Sequence, residues 1–135
     1  RSAEIHLHQW YKQIYIPLNR LIGRILNPLD AQIDELAADP FDDELMGAFQ
    51  AYLEECRFYW NQAQQLFTSQ PNPVKLAKVA AALYHCLNHV GDGIEELEQF
   101  TLNYDDRHLH TGQELFRIAR QLRHEAQETV SLFVR

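Results

Sequence analysis

Apolar residues recur at alternating four- and three-residue intervals along almost the whole chain, and strand-like alternation is nearly absent. The first series is Leu7, Tyr11, Ile14, Leu18, Leu21 and Ile25, widened by Tyr15 and Ile22, and it predicts a helix over roughly 3–26. A shorter series, Leu29, Ile33 and Leu36, predicts a helix over about 28–37 lying across one end. Two rows follow side by side over about 40–69. Leu45, Phe49, Tyr52, Cys56, Tyr59, Ala63 and Leu66 form one, and Met46, Leu53, Trp60 and Phe67 the other. A stripe that wide can meet two neighbouring helices. The remaining helices are expected over about 73–103, through Leu76, Ala80, Leu83, Leu87, Val90, Ile94 and Leu97, and over about 106–134, through Leu115, Ala119, Leu122, Ala126 and Phe133.

The punctuation agrees. Asn27-Pro28, Asp39-Pro40 and Asn72-Pro73 each place a capping residue before proline, so each reads as a helix start. Pro17 falls inside the first series and predicts a bend there, because it removes one backbone hydrogen bond and crowds the preceding turn. Connections near 70–73 and 103–106 are short, which makes the helices they join antiparallel. The expected fold is all-α: an antiparallel up-down four-helix bundle with a short extra helix, about 28–37, between the first and second long helices. At 135 residues this is one domain, 1–135.

In that hairpin register Cys56 stands opposite Leu87 and beside Cys86, so both sulfurs are expected in the core. Packed helix axes hold them beyond disulfide reach, which predicts two free thiols. Two cysteines in a chain of this size also suit a reduced, cytoplasmic setting. No apolar run approaches the length of a membrane span, and Arg1-Ser2-Ala3-Glu4 does not begin a signal-peptide pattern.

Charge narrows the partners. A net charge of −7 argues against a general nucleic-acid binder, which needs cations to displace counterions from phosphate. The charge is uneven. Between Ile25 and Cys56 there are nine acids and no Lys or Arg, whereas from Arg107 onward five arginines face three acids. Asp39, Asp42 and Asp43 in the acidic stretch can cap a helix or offer a basic partner a docking patch. Arg117, Arg120 and His124 form a stripe on the last helix, open to ordinary surface pairing or to an anionic partner.

Candidate chemistry is sparse. His85, His89 and Asp92 share one helical face at a spacing that a divalent metal could use, but the face points away from the apolar stripe. The Glu-x-x-His ligands of di-iron bundles do not occur. No catalytic residue or cofactor is assigned, so the sequence does not indicate an enzyme.

Arg117–His124 is similar to the short Arg-to-His motif of HEPN-type helical ribonucleases. Arg117-Ile118-Ala119-Arg120-Gln121-Leu122 resembles the run before the acceptor in one class of histidine-kinase dimerisation helices. Arg123 and His124 stand where that pattern has His then Asp. Tyr11, Tyr15, Tyr52 and Tyr59 form an aromatic seam that is either satisfied core or the wall of a small-ligand pocket.

The reading that follows is a non-enzymatic protein-interaction or regulatory module whose partner is another protein. Ile16 and Phe58 lie outside the stripes and suggest a homodimer. The alternatives are a sensory bundle with a ligand in the Tyr seam, then a HEPN-like ribonuclease or phosphorelay module. A ligand-binding bundle requires an internal cavity at Tyr11, Tyr52 or Tyr59; a docking module requires a filled core and an exposed patch.

Overall fold

The structure, a computed structural model, describes residues 2–134. Among these there is no strand, and 4-3 spacing has become helix throughout. Helix α1 (Ser2–Trp10) continues through a π-helical turn (Tyr11–Tyr15) into α2 (Ile16–Leu26), together the first long segment. Next come the short α3 (Leu29–Ala38) and the long α4 (Asp43–Phe67). A 3-10 turn (Val74–Leu76) leads into α5 (Ala77–Asn103), and α6 (Asp106–Phe133) completes the bundle. In order, α2 packs on α4, α4 on α5 and α5 on α6, with α3 covering α2 and α4.

The ends confirm the up-down course. His6 in α1 bonds the Pro71 carbonyl, 3.0 Å, and Gln70 bonds Gln13, 2.8 Å, which places the start of the first segment beside the α4–α5 connection. At the opposite end Phe41, from the α3–α4 connection, stacks on Tyr104, from the α5–α6 connection, with ring centroids 5.3 Å apart.

None of the three expected caps before proline is the N-cap: at Asn72-Pro73 that position falls to Pro73, ahead of the 3-10 turn. Asp39-Pro40 does not open α4. Asp39 instead makes a turn, accepting from the Phe41 N–H, and Asp42 is the cap: its carboxylate accepts from the backbone N–H groups of Glu44 and Leu45, 2.8 and 3.1 Å away. Asn27 is not the N-cap of α3 either; Pro28 holds that position. Asn27 is helical and closes α2 by donating its N–H to the Gly23 carbonyl, so α3 follows with almost no break. Pro17 has its effect one turn early. The Ile16 N–H reaches back five residues to the Tyr11 carbonyl, so the disruption takes the form of a widened turn. That turn shifts the buried face: Trp10 and Tyr15 are buried, whereas Tyr11 and Leu21, expected at its centre, are half-buried.

Glycines bring α5 close to both neighbours. A Cβ on Gly91 would stand 2.7 Å from the Trp60 ring of α4, whose indole N–H donates to the Leu87 carbonyl, 2.7 Å. A Cβ on Gly93 would stand 2.8 Å from the Phe116 ring, and one on Gly112 would stand 2.9 Å from Leu97, both across the α5–α6 interface. The Arg57–Glu98 ion pair and the His108–Glu96 hydrogen bond, each 2.6 Å, cross the same seams. Cys56 and Cys86 are buried and free. Burial pushes their thiols up to about 11 and about 12.

Candidate functional site

The expected site residues fall into separate places. His85 is exposed and His89 half-buried, with the His89 Nδ1 2.7 Å from the His85 carbonyl oxygen. Among the described residues no three His, Cys, Asp or Glu side chains gather as a metal site would require, so His85, His89 and Asp92 are not brought together as ligands. The stripe on α6 is engaged locally. Arg117 pairs with Glu114 at 2.6 Å, and His124 pairs with Glu128. Arg120 reaches across to the α2–α3 junction, donating to the Leu26 carbonyl, 2.9 Å, and to Asp30 of α3, 3.1 Å. It satisfies an open carbonyl at the end of α2.

The four tyrosines divide. Tyr52 lies in the core and its hydroxyl donates to the Ile25 carbonyl; burial raises its pKa. Tyr11 and Tyr15 stack at 5.6 Å and line a depression of about 500 Å³ between the first segment and the end of α6, with Asn19, Arg20, Gln127 and Val130. Tyr59 lines a neighbouring groove of about 630 Å³ along the outer side of α2, with Arg20, Gly23, Arg24, Glu55 and Arg123. The seam is therefore two open surface features that share Asn19 and Arg20, with Tyr52 apart from both.

This basic groove was not foreseen from individual helices. Arg20 and Arg24 are one turn apart on α2, and the Arg24 guanidinium lies 5.3 Å from the centre of the Tyr59 ring. Arg123 comes from α6 and lies over Gly23, where a Cβ would meet its Nη2 at 3.0 Å. It donates to the Asn19 side chain, 2.8 Å, and to the Asn19 carbonyl, 3.1 Å. One signal was present: between Ile5 and Leu29 the sequence has Lys12, Arg20 and Arg24 and no acid at all.

The other distinctive surface is the tip bearing Phe41 and Tyr104. Phe41 is 76% exposed and Tyr104 40%. Tyr104 has a left-handed backbone, φ 58°, donates its N–H to the Phe100 carbonyl to close α5, and packs edge-on to Phe100. A non-glycine residue in that region is strained by about 1–2 kcal/mol, so its ring contacts hold it there. Asp39, Asp42, Asp43 and Asp106, close to these two residues along the chain, are exposed, and none forms an ion pair among the described residues. Asp105 is spoken for: Arg107 bonds it through backbone and guanidinium and holds its carboxyl down to about 2.

Among the described residues the bundle buries a continuous apolar core and presents one basic groove and one acidic, aromatic tip. Residues 2–134 match the family model of the cyanobacterial DnaJ chaperone, C-terminal domain. The chain belongs to that family. No curated protein and no solved structure matches it. Membership agrees with a helical, chaperone-associated domain, and no helix among the described residues is long and apolar enough to cross a membrane.

Proposed function

We propose that this DnaJ C-terminal domain is a non-enzymatic protein-binding module whose aromatic, acidic tip holds basic-apolar segments of a partner protein. The observation that carries the reading is the Phe41–Tyr104 stack, exposed at the bundle end, with the exposed Asp39, Asp42, Asp43 and Asp106 within two residues of one ring or the other along the chain. Exposed aromatic pairs supply rigid contact area, and these carboxylates select positive charge and reject negative. The two rings come from different connections, so the surface exists only when the bundle is folded. Family membership adds that the surroundings are those of a chaperone, where contact with other proteins is the expected work.

The test is fluorescence anisotropy with a labelled peptide in which lysines alternate with leucine and phenylalanine. Phe41→Ala should weaken its binding on the order of tenfold, and Asp39→Asn with Asp43→Asn should flatten its salt dependence. Asp42 is left intact because it caps α4. Equal binding by wild type and Phe41→Ala would remove the tip from the function.

A further inference from the structure

The groove along α2 lies on a different part of the surface from the tip and has the opposite charge. Three guanidiniums, Arg20, Arg24 and Arg123, line it together with one carboxylate, Glu55. Among the described residues none of these arginines forms an ion pair, in a chain of net charge −7. Arg120, one turn before Arg123, shows the contrast, since Asp30 neutralises it. Like charges one turn apart on a helix repel, so Arg20 and Arg24 weaken α2 slightly unless something anionic lies between them. Arg123 is half-buried and fixed by two bonds to Asn19, so its position is set before any ligand arrives. Tyr59 similarly steadies Arg24.

The adjoining depression adds an independent observation. Tyr15 is 5% exposed, lines it, and has a buried hydroxyl with no hydrogen-bond partner among the described residues. A buried hydroxyl without a partner is costly, and such orphans are uncommon in native interiors. Tyr15 is the last residue of the π turn, a distortion that recurs at functional sites. The Tyr11 ring stacked on it gives the same depression an apolar wall.

We propose that this continuous surface binds an acidic peptide segment of a partner protein in extended form. Its carboxylates lie on Arg20, Arg24 and Arg123, and an apolar side chain lies against the half-buried Tyr11 ring. The spacing fits: residues four apart on a helix are separated by about 6 Å along the axis, and alternate side chains of an extended chain by about 6.6–7 Å. Acids at every second position therefore match Arg20 and Arg24. From Tyr11 to Pro28 the surface is roughly 25 Å long, which an extended segment of roughly eight residues spans. Guanidinium forks favour carboxylates over less directional anions, and the overall negative charge of the domain disfavours a nucleic acid or an anionic membrane.

The probe is a fluorescein-labelled peptide of roughly that length, with Asp and Glu alternating with small residues and one phenylalanine at its end. Wild type should bind it with an affinity that falls as salt rises. The double variant Arg20→Glu, Arg24→Glu should weaken binding on the order of tenfold or more, while Arg117→Glu, outside the groove, changes it less than twofold. Tyr11→Ala should remove the advantage of the phenylalanine peptide over its alanine counterpart. Both substituted arginines are exposed, so the thermal midpoint should hold. If the double variant nonetheless fails to fold, amide chemical shifts of wild type titrated with the probe decide, and they should move within 11–28, 55–59 and 119–134.

Several outcomes overturn the proposal. They are unchanged binding by the double variant, equal binding of a lysine-for-acid peptide, shifts confined to other surfaces, full competition by millimolar inorganic phosphate, or tighter binding to phosphatidylserine vesicles or single-stranded RNA than to the peptide. None of these results bears on the tip, whose probe is basic.

Discussion

Replacing Gly93 by Ala should destabilise the bundle, while the same change at Gly47 should stabilise it. Both glycines lie inside long helices, so each substitution gains the same intrinsic helix preference, about 1 kcal/mol. The surroundings differ. Nothing lies within 4 Å of a Cβ built on Gly47, so most of that gain remains. At Gly93 the new methyl would stand 2.8, 3.0 and 3.0 Å from three atoms of the Phe116 ring, where carbon atoms ordinarily rest at about 3.5–4.0 Å. Phe116 is 1% exposed, so the ring has no open space into which it can swing, and α5 and α6 must separate by several tenths of an ångström. Overpacking of that kind costs about 1–3 kcal/mol, which leaves Gly93→Ala between neutral and about 2 kcal/mol destabilised. The two variants should therefore differ by about 1–3 kcal/mol. At this length that is a separation of roughly 3–12 °C in thermal midpoint, read by circular dichroism or calorimetry. Equal stabilisation by both substitutions would show that the α5–α6 contact has slack and that the glycine is not what sets the interhelical distance.

Three other expectations follow from the same structure. Asp42→Ala should cost about 1 kcal/mol in urea unfolding, because two N–H groups at the start of α4 lose their acceptor, whereas Asp39→Ala should cost less than half of that. Arg120→Ala should lower stability by about 1–2 kcal/mol, almost all of it from the Leu26 carbonyl and little from the exposed Asp30, so that Asp30→Asn is nearly silent. The thiols set a pH dependence. Folding raises the pKa of Cys56 to about 11 and of Cys86 to about 12, while an unfolded thiol ionises near 8.5. Their contribution is complete below about pH 8.5 and is lost as pH rises toward the folded values, since only the unfolded chain releases those protons. Urea midpoints should fall between about pH 8.5 and 10.5, and the Cys56→Ala, Cys86→Ala double variant should show a shallower fall; an identical slope would place the effect elsewhere.

The helices were legible because period and length agree over long stretches: the double row from Leu45 to Phe67 allows no strand and only one face. The start of α4 was harder, since Asp39 and Asp42 are equally good caps and the local rule favours the one before proline. What decides is where the chain leaves α3, which the apolar pattern does not encode. Pro17 announced a lost hydrogen bond, but not the form in which the helix absorbs it, which is the π turn at Tyr11–Tyr15. The arginine groove escaped for a topological reason. Arg20 and Arg123 are distant in sequence and lie on the first and last long elements, so reading each helix alone gives each of them a solvated role. The acid-free stretch from Ile5 to Leu29 was the available sign, the counterpart of the acidic run beyond it.

The pairing of α5 with α6 has a consequence for how the domain comes into being. These two helices are joined by only Tyr104 and Asp105 and share the most extensive interface of the bundle. Contacts that close over so short a connection form rapidly, ahead of those that must bring distant segments together. They are also the last part of this sequence to leave a ribosome, which extends the chain at about 5–20 residues per second. Until they emerge, the first segment can lean only on α3 and α4, and the side of α4 meant for α5, with Trp60 at its centre, stays uncovered. Synthesis thus delivers the pieces in the reverse of the order in which they bind one another best. During each round of translation the nascent domain spends some seconds as a half-built bundle with an open apolar flank.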